Sequence, residues 1–357
     1  MDTRSNSRPS GVTWTGICWL AAGVATTVVA VSPAIAAEVN FIGYVARFED
    51  NYKKAVIEPF EKETGIKVNY TAAGTSAQQI AIIRAQKDNP TVDLTIMDVS
   101  VARSGNQEDL YAEIDPTIVT NMADLHPLAL ANAPYGPGLT FDYVGMIYNT
   151  DRVTTPPKSI ADLWGLDYKN EIAWAAGTMD MLMPLIAFNK SLGGDYNSNI
   201  DLAIAKLAEL APSVQSFAPT PDVYTAVMNG TAKVGFGWNS FAQYYADLSG
   251  GKLGIVAPTE GTVFQINTLN LVKGGPNPKE AQMFMNYALR PDVQARFSAL
   301  MPYAPTNTKA QLPPEVLERT AARPDILDNT IPVDWTVLAS KREDWFGQIR
   351  REAMGAQ

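Results

Sequence analysis

Apolar and polar positions alternate along most of the chain in short strand-like runs separated by segments of helical period. Val39-Asn40-Phe41-Ile42 reads as a first strand, and Tyr52, Val56, Ile57 and Phe60 fall on one face of the helix that follows. Gly65 is placed to stop that helix in the left-handed conformation, after which Ile66-Lys67-Val68-Asn69-Tyr70 alternates as a half-buried strand does. Thr75 or Ser76 can cap a helix bearing Ile80 and Ile83, and Pro90 breaks the chain before the apolar strand Val92 to Met97. Strands and helices in this order predict a parallel α/β sheet.

A second set of the same kind follows. Tyr143 to Tyr148 reads as a strand, Ser159 with Asp162 has the spacing of a capping box, and Glu171 to Trp174 is a short strand. A helix ending near Gly193-Gly194 leads to the strand Val214 to Phe217, a helix opened by Thr220-Pro221, and the strands Val234 to Trp238 and Leu253 to Val256. The long alternating stretch Val263 to Val272 closes the set. Each set is of ordinary domain size, roughly 110–120 residues.

The first 36 residues do not fit this pattern. Arg4 and Arg8 precede an apolar run from Ile17 to Val31, and Ala34-Ile35-Ala36 forms a small-residue cleavage site, which is the layout of a secretory signal peptide. Gly23, Thr26, Thr27 and Ser32 dilute the run below a membrane anchor, and Thr15-Gly16-Ile17 before Cys18 does not form a lipobox. Cleavage after Ala36 is expected, giving an exported, periplasmic protein. It removes Arg4, Arg8, Asp2 and Cys18, leaving 26 basic against 36 acidic residues, a net charge of −10, and no thiol.

Composition narrows the chemistry. A net charge of −9 over 357 residues disfavours nucleic acid and anionic membranes as partners. One His and one Cys exclude His-rich or thiolate metal sites and an intrachain disulfide. The phosphate-binding G-x-x-x-x-G-K-[ST], the dinucleotide G-x-G-x-x-G and the hydrolase G-x-S-x-G are all missing, and His126 lies in a turn-like stretch before Pro127. No catalytic residue, no cofactor and no metal ligand is therefore expected. What remains are polar residues just after strands, where open α/β sheets present helix N-termini to ligands: Gly74-Thr75-Ser76, Asp98-Val99-Ser100 and Gly177-Thr178-Met179-Asp180.

Several longer segments resemble a known family, the type II periplasmic solute-binding proteins of ABC importers in the spermidine/putrescine and ferric-iron group. They are Phe60 to Tyr70 (FEKETGIKVNY), Met146 to Trp174 (MIYNTDRVTTPPKSIADLWGLDYKNEIAW), Leu269 to Leu300 (LNLVKGGPNPKEAQMFMNYALRPDVQARFSAL) and Tyr303 to Ala310 (YAPTNTKA). The resemblance implies an α/β, two-lobed periplasmic binding protein fold, each lobe a central sheet flanked by helices with a hinge between. The chain would cross near Tyr143–Met146 and again near Gln265–Asn267, giving one lobe of residues 37–145 and 267–310 and another of 146–266 and 311–357. It further implies a monomer that closes on a small solute and docks to a membrane permease, with no enzymatic turnover.

The same resemblance supplies ligand candidates. Trp238-Asn239 is similar to the aromatic run of the polyamine binders, and Arg47-Phe48-Glu49-Asp50 lies near their first ligand loop. Where those proteins carry a Trp and, two residues on, an Asp after the turn matching Glu260-Gly261, this chain has Gln265 and Asn267. The candidate ligand residues are thus Phe48, Asp50, Thr75, Ser76, Ser100, Tyr135, Thr178, Asp180, Trp238, Asn239, Gln265 and Asn267. Acidic Glu49, Asp50 and Asp180 favour an amine, whereas Arg47 and the capped helix starts favour a carboxylate or phosphonate. A small polar solute bearing an amine, polyamine-like and in one form zwitterionic, is expected. Ferric iron, an organic anion and an exported enzyme on the same fold are the alternatives.

Overall fold

The computed structural model describes residues 37–355, so the expected signal peptide lies outside the described residues. Ten strands form one mixed sheet: β1 (Glu38–Gly43), β2 (Lys67–Ala72), β3 (Leu94–Asp98), β4 (Gly138–Asn149), β5 (Ile172–Ala173), β6 (Val214–Ser216), β7 (Val234–Trp238), β8 (Leu253–Val256), β9 (Phe264–Leu271) and β10 (Ala304–Pro305). The order is β2-β1-β3-β9-β4-β7-β5-β6, with β8 and β10 also on β4.

The parallel expectation holds only away from the centre. β1 runs parallel to β2 and β3, and β5 parallel to β6 and β7, but β9 is antiparallel to β3 and β4, and β4 is antiparallel to β7 and β8. The cause is connectivity: β4 carries the chain out of the first strand set and β9 brings it back, so both oppose their neighbours. β4 pairs with β9 up to Tyr143 and with β7 from Val144 on. It is buried along nearly its whole length, because helices cover both faces.

Helices α1 (Arg47–Tyr52), α2 (Glu58–Thr64), α3 (Ser76–Ala85) and α4 (Val99–Gln107) serve the first set; a π-turn, Lys53–Ile57, joins α1 to α2. The second set carries α5 (Met179–Ser191), α6 (Asp201–Leu210), α7 (Val223–Met228) and α8 (Asn239–Ser249). The chain then forms α9 (Pro278–Ala288), α10 (Pro291–Leu300), α11 (Pro314–Leu317), α12 (Pro324–Leu327) and α13 (Trp335–Ile349). Among the described residues no helix is long and apolar enough to cross a membrane.

Local chemistry explains the boundaries. Gly65 adopts φ 74° at the end of α2, and the Thr75 hydroxyl accepts from the Gln78 amide to start α3. Ser159 and Asp162 form a reciprocal capping box, on a 3₁₀ turn. At α7 the expected Thr220-Pro221 start moves to Asp222, whose carboxylate accepts from the Thr225 amide at 2.7 Å while the Thr220 hydroxyl turns back to Ala218. Side chains alternate across the sheet as its pleat requires: Val39, Phe41, Leu94 and Ile96 enter the main core, whereas Ile42 and Met97 pack on the other face.

Candidate functional site

The carboxyl ends of β1, β2 and β7, the start of β9 and the loop before β10 converge on a cavity of about 630 Å³. Its floor is set by strand register. Asp98 pairs with Asn267, Asn267 with Thr140, and Gln265 with Asp142, so one face of β3, β9 and β4 presents a row of polar side chains. The Tyr44 hydroxyl lies 2.9 Å from Ser76 Oγ and donates to Asn267 Oδ1 at 3.1 Å; Asn267 Nδ2 donates to Thr140 Oγ1 at 3.0 Å. Ser76 Oγ also accepts the Asp98 amide at 3.0 Å, which ties α3 to the end of β3. Burial raises the Tyr44 pKa and keeps its hydroxyl a neutral donor.

Three carboxylates stand behind this wall. Asp98 caps α4 through the Ser100 amide at 2.8 Å and the Ser100 hydroxyl, and the Gln265 side chain also favours its charge. Burial outweighs these bonds and raises its pKa. Asp142 is buried in the middle of β4 and reaches the start of α8, where Ser240 Oγ donates to it at 2.6 Å and the Ser240 and Tyr143 amides point at it. Burial nevertheless pushes its pKa up to about 7. Asp180, in the first turn of α5, is pushed up to about 6 by burial, against the opposing effect of its own amide and the Trp238 indole N–H. Asp180 also adds to the cost of charging Asp142. Neither has a basic partner in any ion pair among the described residues.

Aromatic and apolar side chains complete the cavity: Phe48, Trp238, Phe241, Tyr244, Met301 and Tyr303. Phe48 is held by stacking on Tyr52 at 5.3 Å and edge contacts with Tyr44 and Phe297. The Arg47 guanidinium lies 4.2 Å from the Tyr244 ring centre. A second cavity, of about 350 Å³, holds His126, but its Nδ1 is occupied by the Leu128 amide and no carboxylate faces it.

The structure brings Phe48, Thr75, Ser76, Trp238, Gln265 and Asn267 together on the cavity wall, with Asp180 behind Trp238 and Ser100 behind Asp98. It places four other candidates elsewhere. Asp50 is exposed to solvent. Tyr135 packs beside the small core of Ile42 and Met97. The Thr178 hydroxyl donates to Ala175 O at 2.9 Å and so does not cap α5. Asn239 is turned into the protein, donating to the carbonyls of Arg319 and Pro302. Sequence reasoning missed Asp142, Tyr44 and Tyr303. An available signal was a lone carboxylate inside the apolar run Leu139 to Ile147.

A two-sided α/β sheet with a cavity at its strand ends, walled by fixed donors and aromatic rings with carboxylates behind them, is the architecture of a solute-binding protein. The chain belongs to the bacterial extracellular solute-binding protein family, which it matches over residues 55–324. It is 28% identical over 297 residues to the spermidine/putrescine-binding periplasmic protein of Salmonella typhimurium, covering 79% of this chain and 83% of that one. It is 26% identical over 293 residues to the gamma-aminobutyric acid-binding protein of Pseudomonas aeruginosa, covering 79% and 81%. An ABC transporter structure from Clostridium perfringens shares the two-lobed fold at TM-score 0.75, 24% identity, and coverage of 88% of this chain and 99% of that one.

Proposed function

We propose that the chain is the periplasmic binding component of an ABC importer and captures a small amine-bearing solute in this cavity for delivery to a membrane permease. One observation carries the reading. Asp142, buried behind Ser240 of the cavity wall, and Asp180, half-buried behind Trp238, have no basic partner among the described residues, so a bound ammonium would supply the missing charge. Trp238 offers a face to the solute's stem while its indole N–H holds Asp180.

The lobes are residues 37–145 with 267–310 and 146–266 with 311–357, and the solute is enclosed as they close, by one monomer acting alone. The change of partner in β4 between Tyr143 and Val144 supports a crossing there. Export by cleavage after Ala36 accords with the periplasmic naming of the relatives. A free-iron reading has less support: Tyr245 stacks on Tyr224 and donates to Asp222, and the Tyr244 ring lies under the Arg47 guanidinium, whose charge opposes a cation there. A thermal-shift screen over diamines, amino acids, organic acids, sugars and ferric iron tests the proposal. A ligand at 100 times its dissociation constant adds about 2.7 kcal/mol to stability, a clear rise in Tm. Stabilisation by amines supports it, and stabilisation by iron or sugars alone overturns it.

A further inference from the structure

Two cavity-lining side chains that the amine reading leaves unused face each other across the mouth. Val45 and Phe241 both line the cavity and are 42% and 50% exposed, so they mark its rim on the two lobes proposed above. Arg47 follows Val45 by two residues, and Tyr244 follows Phe241 by three, on the same face of α8. The half-buried Arg47 guanidinium lies 4.2 Å from the centre of the Tyr244 ring. Among the described residues it has no ion pair and no side-chain hydrogen bond: Glu49 takes Lys53, and Asp50 faces solvent.

The aim of Arg47 is built into the chain. Tyr44 is pinned through its hydroxyl, which lies against Ser76 and donates to Asn267, and through its carbonyl, which accepts from the Tyr70 hydroxyl. Phe48, in the first turn of α1, is buried and stacked on Tyr52. The residues between these anchors must turn the chain, and the turn falls on Ala46, at φ 57° and ψ −128°. That conformation suits glycine and strains a residue with a Cβ. The strained backbone directs Arg47 towards α8.

α8 is fixed from its own lobe, where Arg319 donates to the Gln243 side chain and carbonyl and to Asp247. Bonds from α8 to the first lobe leave its first residues, Ser240 to Asp142 and Asn239 to Pro302 O. Asp142 adjoins the crossing in β4, so these bonds sit near the hinge. Tyr244 lies one turn farther along, roughly 6 Å from Ser240 on the axis, where an opening rotation displaces it more.

Resting on the lobe division above, we propose that Arg47 and Tyr244 form a clasp that holds the lobes shut across the cavity mouth, with Ala46 as the residue that positions Arg47. A cation over an aromatic face at a half-buried site favours the shut form by about two- to thirtyfold.

The test is pulsed electron paramagnetic resonance on protein spin-labelled at Lys62→Cys and Lys190→Cys, with no solute added. Both positions are exposed, on α2 and α5 of the two lobes, and cleavage after Ala36 leaves no other thiol. The ratio of shut to open distances should fall about two- to thirtyfold in Arg47→Met and in Tyr244→Leu, and the double variant should lose no more than the larger single loss. Tyr244→Phe, which keeps the ring face, should stay within about twofold of the parent. Ala46→Gly should lower the ratio while Tm holds or rises; an unchanged ratio there removes the role given to Ala46. A ratio unmoved by Arg47→Met and Tyr244→Leu, or losses that add in the double variant, overturns the clasp. Should those variants have no effect while putrescine shifts the ratio, the lobe division stands and the clasp alone falls. A single distance that neither the variants nor any diamine or amino acid moves removes the lobe division and the clasp together.

Discussion

Lowering the pH from 8 to 5 should weaken amine capture by at least about tenfold, through the carboxylates alone. Burial pushes Asp142 up to about 7 and Asp180 up to about 6, whereas an alkylammonium keeps its proton up to about pH 10. At pH 8 both carboxylates are charged and the ammonium meets them ready. At pH 5 protonation is favoured about tenfold at Asp180 and about a hundredfold at Asp142, so binding must expel a proton. The two titrate as a coupled pair, and the loss runs from about tenfold if one proton leaves to about a thousandfold if both do. The phenols that face the pair, Tyr143, Tyr224 and Tyr303, are raised above their ordinary range and stay neutral throughout, while Asp98 is shifted in the same sense as the pair. Stability of the free protein moves the other way. Because the folded state holds these protons more tightly than the unfolded chain, the two groups add stability as pH falls from about 7 towards the ordinary carboxylate range. Titration calorimetry at pH 8, 7, 6 and 5, in buffers of different ionisation enthalpy, reads both the affinity and the protons released. Affinity constant within twofold across that range, with no proton release at pH 6, would refute the placing of an ammonium against this pair.

Three further outcomes are expected. Trp238→Ala should weaken amine binding roughly two- to thirtyfold with the fold retained, read by calorimetry and circular dichroism; loss of the fold instead would assign Trp238 to the core. Gly261 has φ 93°, and a Cβ there would lie 2.6 Å from Asn329 O, so Gly261→Ala should cost about 1–3 kcal/mol in denaturant unfolding; no measurable loss would mean that the segment after β8 yields freely. Intact-mass analysis of exported protein should find a chain beginning at Ala37, and a mass that retains Cys18 would contradict the cleavage site.

Much of the strand and helix order was legible because each element carries its own local signal. The alternation of Ile66 to Tyr70, the stop at Gly65 and the cap at Thr75 depend on residues within a few positions of one another. The antiparallel centre was not legible, because the pairing of β9 with β3 and β4 joins residues more than 120 positions apart and leaves no periodic trace. The site divides in the same way. Thr75, Ser76 and Trp238 lie at or just after strand ends and were readable as cavity-lining, whereas Asp142 lies inside β4 and comes to stand behind the cavity wall only when α8 is laid against it. Gln265 and Asn267 read as a loss of charge relative to the polyamine pattern. In three dimensions Gln265 pairs with Asp142 across the sheet and its side chain lies by Asp98, so carboxylates remain close by on neighbouring strands. Asn239 has the position of a ligand residue in sequence but turns inward, since the carbonyls of Arg319 and Pro302 need its donors.

The most direct test of the amine site is a crystal structure of the protein saturated with the amine that gives the largest thermal shift. The account predicts its ammonium nitrogen within hydrogen-bonding distance of the Asp142 or Asp180 carboxylate, with the stem against Trp238. A solute bound outside this cavity, or an anionic group at the carboxylate pair, would contradict it.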